Sequence, residues 1–211
     1  LRGSTISSPI FGKRSIAFDN AVFNESHIRG YLTTRARSEI DPGLLRPAGV
    51  LVPFLREDDE LRLVLTLRTD EVEHHKGQIS FPGGVMDAAD RSIVDTALRE
   101  AEEEIGLSRD HVRVLGLFDD LATPSGFSIT PVVGYIERLP ELNAHPAEVA
   151  EILKVPVSFF LDTTYHSEEL RERMGILQPV HRYLYGRHDI WGATAAIIYG
   201  LLRGLGVRRE E

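Results

Sequence analysis

The sequence has no cysteine, one tryptophan and two methionines in 211 residues. Lack of cysteine excludes disulfides, zinc–thiolate sites and a thiol nucleophile. It is compatible with a reducing cytosol, and a cytoplasmic location is the expectation. No long hydrophobic run is present either. The best candidate, Ile190 to Leu202, is broken by Gly192, Thr194 and Gly200 and falls short of the roughly 20 apolar residues of a membrane span. The N-terminus shows no secretory pattern and the C-terminal "GVRREE" no peroxisomal address. Positive charge is in deficit: 24 Lys and Arg face 32 Asp and Glu, for a net charge of −8. That balance argues against a nucleic acid or an anionic membrane as partner. It permits a polyanionic substrate if metal ions supply the positive charge. Internal repeats, low-complexity tracts and long linkers are also missing.

What remains suits one large domain, with 42% hydrophobic and 27% charged residues. Residues 25–38 read as a first helix, with Ile28, Tyr31 and Leu32 on one side. "AGVLVPFL" (48–55) and "LRLVLTLR" (61–68) read as strands joined by a hairpin turn in "REDDE". "GQISFPGG" (77–84) is a short strand running into a Pro-Gly-Gly break. Residues 91–105 carry the strongest helical signal: Val94, Ala97, Leu98, Ala101 and Ile105 recur at helical spacing, and Gly106 stops the run. "HVRVLGLF" (111–118), "SITPVVGYI" (128–136) and "VHRYLYG" (180–186) read as strands, and "SFFL" (158–161) as a short helix. Residues 189–205 form a last helix, with Asp189 as its cap. Strands and helices mix without strict alternation, which predicts an α/β fold with a mixed sheet between helices.

The predicted helix 91–105 ends in "TALREAEEEIGL" (96–107), which crowds Glu100, Glu102, Glu103 and Glu104 together. Like charges one turn apart repel. On a helical wheel Glu100, Glu103 and Glu104 share one sector, while Glu102 and Arg99 point elsewhere. Three carboxylates on adjoining turns make a hard-oxygen site suited to Mg²⁺ or Mn²⁺. A solvated acidic face is the plain alternative. The upstream Gly83–Gly84 pair favours the site, because glycine lets backbone approach a ligand closely.

These residues resemble the Nudix hydrolase box, G-x5-E-x7-R-E-U-x-E-E-x-G-U, where U is aliphatic. Here Gly84 is followed by five residues, Asp90, eight residues and "REAEEEIGL". Arg99, Glu100, Glu103, Glu104, Gly106 and Leu107 match by position, and Ala101 fills the aliphatic slot. Asp90 replaces Glu, and one extra residue precedes Arg99. The preceding "VLTLRTDEVEHHKGQISFPGG" is similar to the pattern L-L-T-x-R-S/A-x3-R-x3-G-x3-F-P-G-G of coenzyme A pyrophosphatases. Leu65, Thr66, Arg68, Gly77, Phe81, Pro82, Gly83 and Gly84 fit it, whereas Thr69 stands where Ser or Ala is usual and Glu73 where Arg is usual. The likeness extends over about residues 48–200. It implies an α/β/α Nudix domain over 48–205, an N-terminal extension with a helix over 1–47, and a tail at 206–211.

The resemblance implies a small nucleotide-derived substrate cleaved at a pyrophosphate bond by water. Glu100, Glu103 and Glu104 would hold Mg²⁺ or Mn²⁺, with a backbone carbonyl at Gly83 or Gly84. Arg99 would orient a neighbouring carboxylate. Glu103, Glu104 or a glutamate outside the box, Glu148 or Glu151, would be the general base, with Glu151 the weaker candidate beside a reading as exposed helix or loop charge. Arg68 and Lys76 are candidate phosphate contacts, and Phe127 would stack on a base unless it is core. His74, His75, His166, His181 and His188 read as solvated turn histidines. Relatives often pair, so a homodimer is a candidate assembly. Coenzyme A or an acyl derivative is the first substrate reading. Glu73 keeps ADP-ribose, a dinucleotide or a nucleoside triphosphate open. A non-catalytic nucleotide-binding module is the third reading, and it would be expected to lose the metal-binding glutamates that this chain retains.

Overall fold

The computed structural model describes residues 23–69, 77–173 and 176–207. Helix α1 (Glu25–Thr34) starts at Asn24, whose side chain accepts a hydrogen bond from the His27 N–H, and it buries Ile28 and Leu32. It ends before the expected 38 because Arg35 is extended. Arg35 and Arg37 leave the helix to pair with Asp119 and Asp120. Strands β1 (Arg46–Glu57) and β2 (Glu60–Arg68) form the expected hairpin. Its turn residues Asp58 and Asp59 have φ of 49° and 61°, the left-handed pair that a two-residue hairpin turn requires and Asp tolerates.

The segment 77–84, read as a short strand running into a break, carries two strands: β3 (Ile79–Ser80) pairs with β2, and β4 (Gly83–Val85), which starts inside the break, pairs with β1. Between them Pro82 has no N–H to continue a ladder. Helix α2 (Ile93–Ile105) follows, then β5 (Arg113–Leu117), β6 (Leu121–Ala122), β7 (Phe127–Ile136), β8 (Val149–Pro156) and α3 (Val157–Leu161). The chain continues through β9 (His166–Arg173), β10 (Ile176–Tyr185), β11 (His188–Trp191) and α4 (Gly192–Gly204).

The main sheet runs β3-β2-β1-β7-β5, with β4 also on β1, β6 on β7 and β8 on β2. β1 and β7 are parallel, and the sheet's other pairs are antiparallel. β1 is buried on both faces, which explains its nearly unbroken apolar run. Leu51 and Leu55 meet Ala97, Leu98, Ala101 and Ile105 of α2 on one face. Val52 and Phe54 join the core with Ile28, Leu32, Ile198 and Leu201 on the other. The mixed sheet therefore lies between helices, as the mixing of strands and helices along the chain implied. β9, β10 and β11 form a separate antiparallel sheet.

Three expectations need correction. Asp189 does not cap the last helix: it lies in β11 opposite Leu184 and pairs with Arg182, and α4 starts three residues later at Gly192. His166, His181 and His188 are strand residues. His181 is buried, stacks on Tyr199 and shares a 3.2 Å hydrogen bond with His166, so these side chains are packed rather than solvated. Glu151, read as loop or helix charge, belongs to β8. Among the described residues no helix is long and apolar enough to cross a membrane.

Candidate active site

Helix α2 is fixed at both ends by its own sequence. Ser92 caps it, accepting from the Asp95 N–H. Gly106, at φ 68°, ends it in a left-handed turn with its N–H bonded to the Glu102 carbonyl. With the apolar face of α2 pressed on β1, the acidic sector turns toward the β3–β4 segment. The four glutamates then meet four different environments. Glu102 is exposed. Glu103 is 59% exposed, its Oε2 2.9 Å from Arg99 Nη1. Glu100 is 17% exposed, its Oε1 2.9 Å from the same nitrogen. Glu104 is 2% exposed: Oε1 accepts from Arg68 Nη1 at 3.2 Å and Oε2 from the Gly83 N–H at 3.3 Å.

The carboxylates press on one another. Burial raises Glu104 to about 7, opposed by Arg68 and the Gly83 N–H and reinforced by the charges of Glu100 and Glu148. Burial also raises Glu100, against the pull of Arg99, and Glu103 and Glu148 add to the rise. Gly84 makes the arrangement sterically possible. A Cβ on Gly84 would lie 2.4 Å from the Glu100 carboxyl carbon, so any side chain there would drive that carboxylate away.

Asp90 and Arg99 brace the loop before the helix. Arg99 donates Nε to Asp90 Oδ1 at 3.0 Å and Nη2 to Oδ2 at 2.9 Å. Asp90 also accepts from the Asp87 N–H and the Thr96 hydroxyl. These bonds hold its carboxyl well below the ordinary range. The shorter Asp side chain and the extra residue thus still close the loop onto Arg99. Arg99 in turn orients Glu100 and Glu103.

Glu148 is brought to the site by backbone bonds that no side-chain motif announces. The Asn143 N–H bonds to the Ile105 carbonyl at 3.0 Å and the His145 N–H to the Glu104 carbonyl at 2.8 Å. The Thr69 N–H bonds to the Glu148 carbonyl at 2.9 Å. This segment is therefore tied to both the end of α2 and the end of β2. The Glu148 side chain is 46% exposed, with His145 Nδ1 3.9 Å from its Oε1. Glu151 is instead engaged by Arg187 at 2.9 Å. The alternating Val149, Leu153 and Val155 were the readable sign of the strand that follows.

The arrangement of box, Gly-Gly turn and braced helix coincides with a match to the NUDIX domain over residues 45–173. The chain belongs to the Nudix hydrolase family. It is 43% identical over 157 residues to the Nudix hydrolase NudL of Photorhabdus laumondii, covering 74% of this chain and 83% of that protein. NudL of Pectobacterium atrosepticum is 39% identical over 174 residues, covering 80% of this chain and 90% of that one. The crystal structure of a Nudix hydrolase from Alicyclobacillus acidocaldarius shares the fold, with a TM-score of 0.51 and 18% identity over 75% of this chain and 91% of that one.

Nudix enzymes act on small nucleotide-derived substrates and generally use divalent metal ions. The residues here fit such an ion in kind: Glu100, Glu103 and Glu104 are hard oxygen donors, and burial, reinforced by neighbouring carboxylates, raises Glu100 and Glu104. Among the described residues no three acidic or histidine side chains already stand as a finished cage; Arg99 and Arg68 engage the three carboxylates. Of the other candidates, Phe127 opens β7, its ring 5.5 Å from the Arg46 guanidinium. It stands three residues before Thr130, which is level with Gly49 and hence Gly84, roughly 10 Å along the strand. Lys76, Glu73, His74 and His75 lie outside the described residues.

Proposed function

We propose that this Nudix chain is a metal-dependent pyrophosphohydrolase of coenzyme A or its acyl derivatives, releasing 3′,5′-ADP and (acyl-)4′-phosphopantetheine. The observation that carries the hydrolytic reading is the pair of largely buried carboxylates Glu100 and Glu104, with the partly exposed Glu148 adding its charge, beside Gly83 and Gly84. Glu100, Glu103 and Glu104 would hold Mg²⁺ or Mn²⁺, which when bound would neutralise pyrophosphate charge and acidify the attacking water. Arg99 fixes the rotamers of Glu100 and Glu103 through Nη1. Glu148, partly exposed and anchored through backbone to α2 and β2, takes the proton from water. Arg68, 3.2 Å from Glu104, contacts a phosphate oxygen, and its fork matches phosphate geometry. Phe127 offers a ring at the far end of β7 for a nucleobase.

The coenzyme A assignment rests on Leu65, Thr66, Arg68, Gly77 and the Phe81–Gly84 run. A second reading keeps the chemistry and changes the substrate to ADP-ribose, a dinucleotide or a nucleoside triphosphate. It is favoured by Glu73, an anion where the coenzyme A pattern carries a cation. A substrate panel of coenzyme A, acetyl coenzyme A, ADP-ribose, NADH and dGTP, with products identified by mass, separates the two. Coenzyme A should lead the panel. If it ranks among the worst substrates, the coenzyme A reading is wrong and the pyrophosphatase reading stands.

A further inference from the structure

Glu104 has two oxygens and each accepts one hydrogen bond. Oε2 accepts from the Gly83 N–H, and Oε1 from Arg68 Nη1. Each oxygen keeps a second lone pair, but a divalent ion on this carboxylate repels the Arg68 guanidinium and draws off the charge that holds it, whereas the Gly83 N–H is uncharged. The Gly83 N–H belongs to a backbone locked in register, Gly83 opposite Val50 in the β4–β1 pair. It can leave only if the strand moves. Arg68 is a long side chain, 21% exposed at the end of β2, and its departure needs only side-chain rotation. Its present pose is also incompletely satisfied: Arg68 Nε is buried and has no hydrogen-bond partner among the described residues. A guanidinium that gives up Glu104 therefore loses an ion pair but frees a donor that is now idle.

We propose that Arg68 and the divalent cation compete for Glu104, and that the displaced Arg68 turns its guanidinium to a substrate phosphate. This rests on the metal assignment above and adds to it. Arg68 is then a positioning residue for Glu104 before the ion binds and a phosphate contact afterwards. The backbone at this point is well placed for the exchange. The Arg68 N–H is bonded to the Gln78 carbonyl and the next N–H, of Thr69, to the Glu148 carbonyl. The side chain thus swings from a fixed base, with the β3 segment on one side and the Glu148 segment on the other.

The test is Mn²⁺ binding without substrate, by calorimetry and by the loss of the free-ion electron paramagnetic resonance signal. Wild type, Arg68→Gln and Arg68→Lys are compared, with folding checked by circular dichroism. Competition predicts that Arg68→Gln binds Mn²⁺ roughly tenfold more tightly, the worth of one charge-assisted hydrogen bond. Arg68→Lys, which keeps the charge, stays near wild type. KM for the best substrate rises in Arg68→Gln while Mn²⁺ affinity improves, a divergence that loss of packing would not produce. Unchanged or weaker Mn²⁺ binding in a folded Arg68→Gln overturns the competition while leaving the metal assignment intact. If wild type itself binds no Mn²⁺, the metal assignment fails, and the competition with it.

Discussion

Glu104 is a carboxylate whose charge at neutral pH is costly to the folded chain. Burial lifts it from its ordinary 4.5 to about 7. Between those values the folded protein binds a proton that the unfolded chain has released, so stability falls as pH rises. The contribution is full below 4.5 and is lost as pH passes through about 7. In EDTA, thermal unfolding followed from about pH 5 to about pH 8 should show Tm falling, and Glu104→Gln should flatten that slope. Mn²⁺ at the upper pH should raise the Tm of wild type, because it binds the ionised form. A wild-type Tm indifferent to pH and to Mn²⁺ would count against a buried acidic site. Helical periodicity alone grouped Glu100, Glu103 and Glu104 and set Glu102 apart. It did not show that Glu104 is buried and Glu103 exposed. That difference comes from what covers each residue: the ends of β2 and β4 lie over Glu104, and those contacts are remote in sequence.

At the scale of elements, α2 was legible because its apolar stripe and stop are local, Val94 to Ile105 and then Gly106; the Ser92 cap, equally local, was added by the structure. The β1–β2 hairpin was legible for the same reason. β8 and β9 were not, since their pairing with β2 and β10 is decided by distant partners: the alternating Val149, Leu153 and Val155 of β8 went unread, and β9 is heavily charged. The Asp189 cap failed because β11 continues the sheet through that position before α4 begins. At the site, Gly84 of β4 faces Glu100 of α2 with no room for a Cβ between them. Gly84→Ala should leave the protein folded, since β4 is short and close to the surface, but lower kcat by roughly 100-fold through displacement of the Glu100 carboxylate. Circular dichroism and steady-state kinetics read the two effects separately. Near-normal turnover in this variant would mean that the Glu100 position shown here is irrelevant to catalysis.

Across the whole molecule, charge and fold point the same way. A chain with net charge −8 that takes a polyanionic substrate must gather positive charge locally. The sheet and its helices place Arg68, Arg99 and three glutamates at one end of α2, where an ion can supply the remainder. The most direct test is hydrolysis of the best panel substrate by EDTA-stripped wild type, Glu102→Gln and Glu103→Gln, each with and without Mn²⁺. Wild type and Glu102→Gln should be inactive in EDTA and recover with Mn²⁺. Glu103→Gln should stay folded yet recover at most roughly one part in a hundred of that activity. Full Mn²⁺-supported activity in Glu103→Gln, or undiminished turnover by wild type in EDTA, would contradict the metal-dependent site described here.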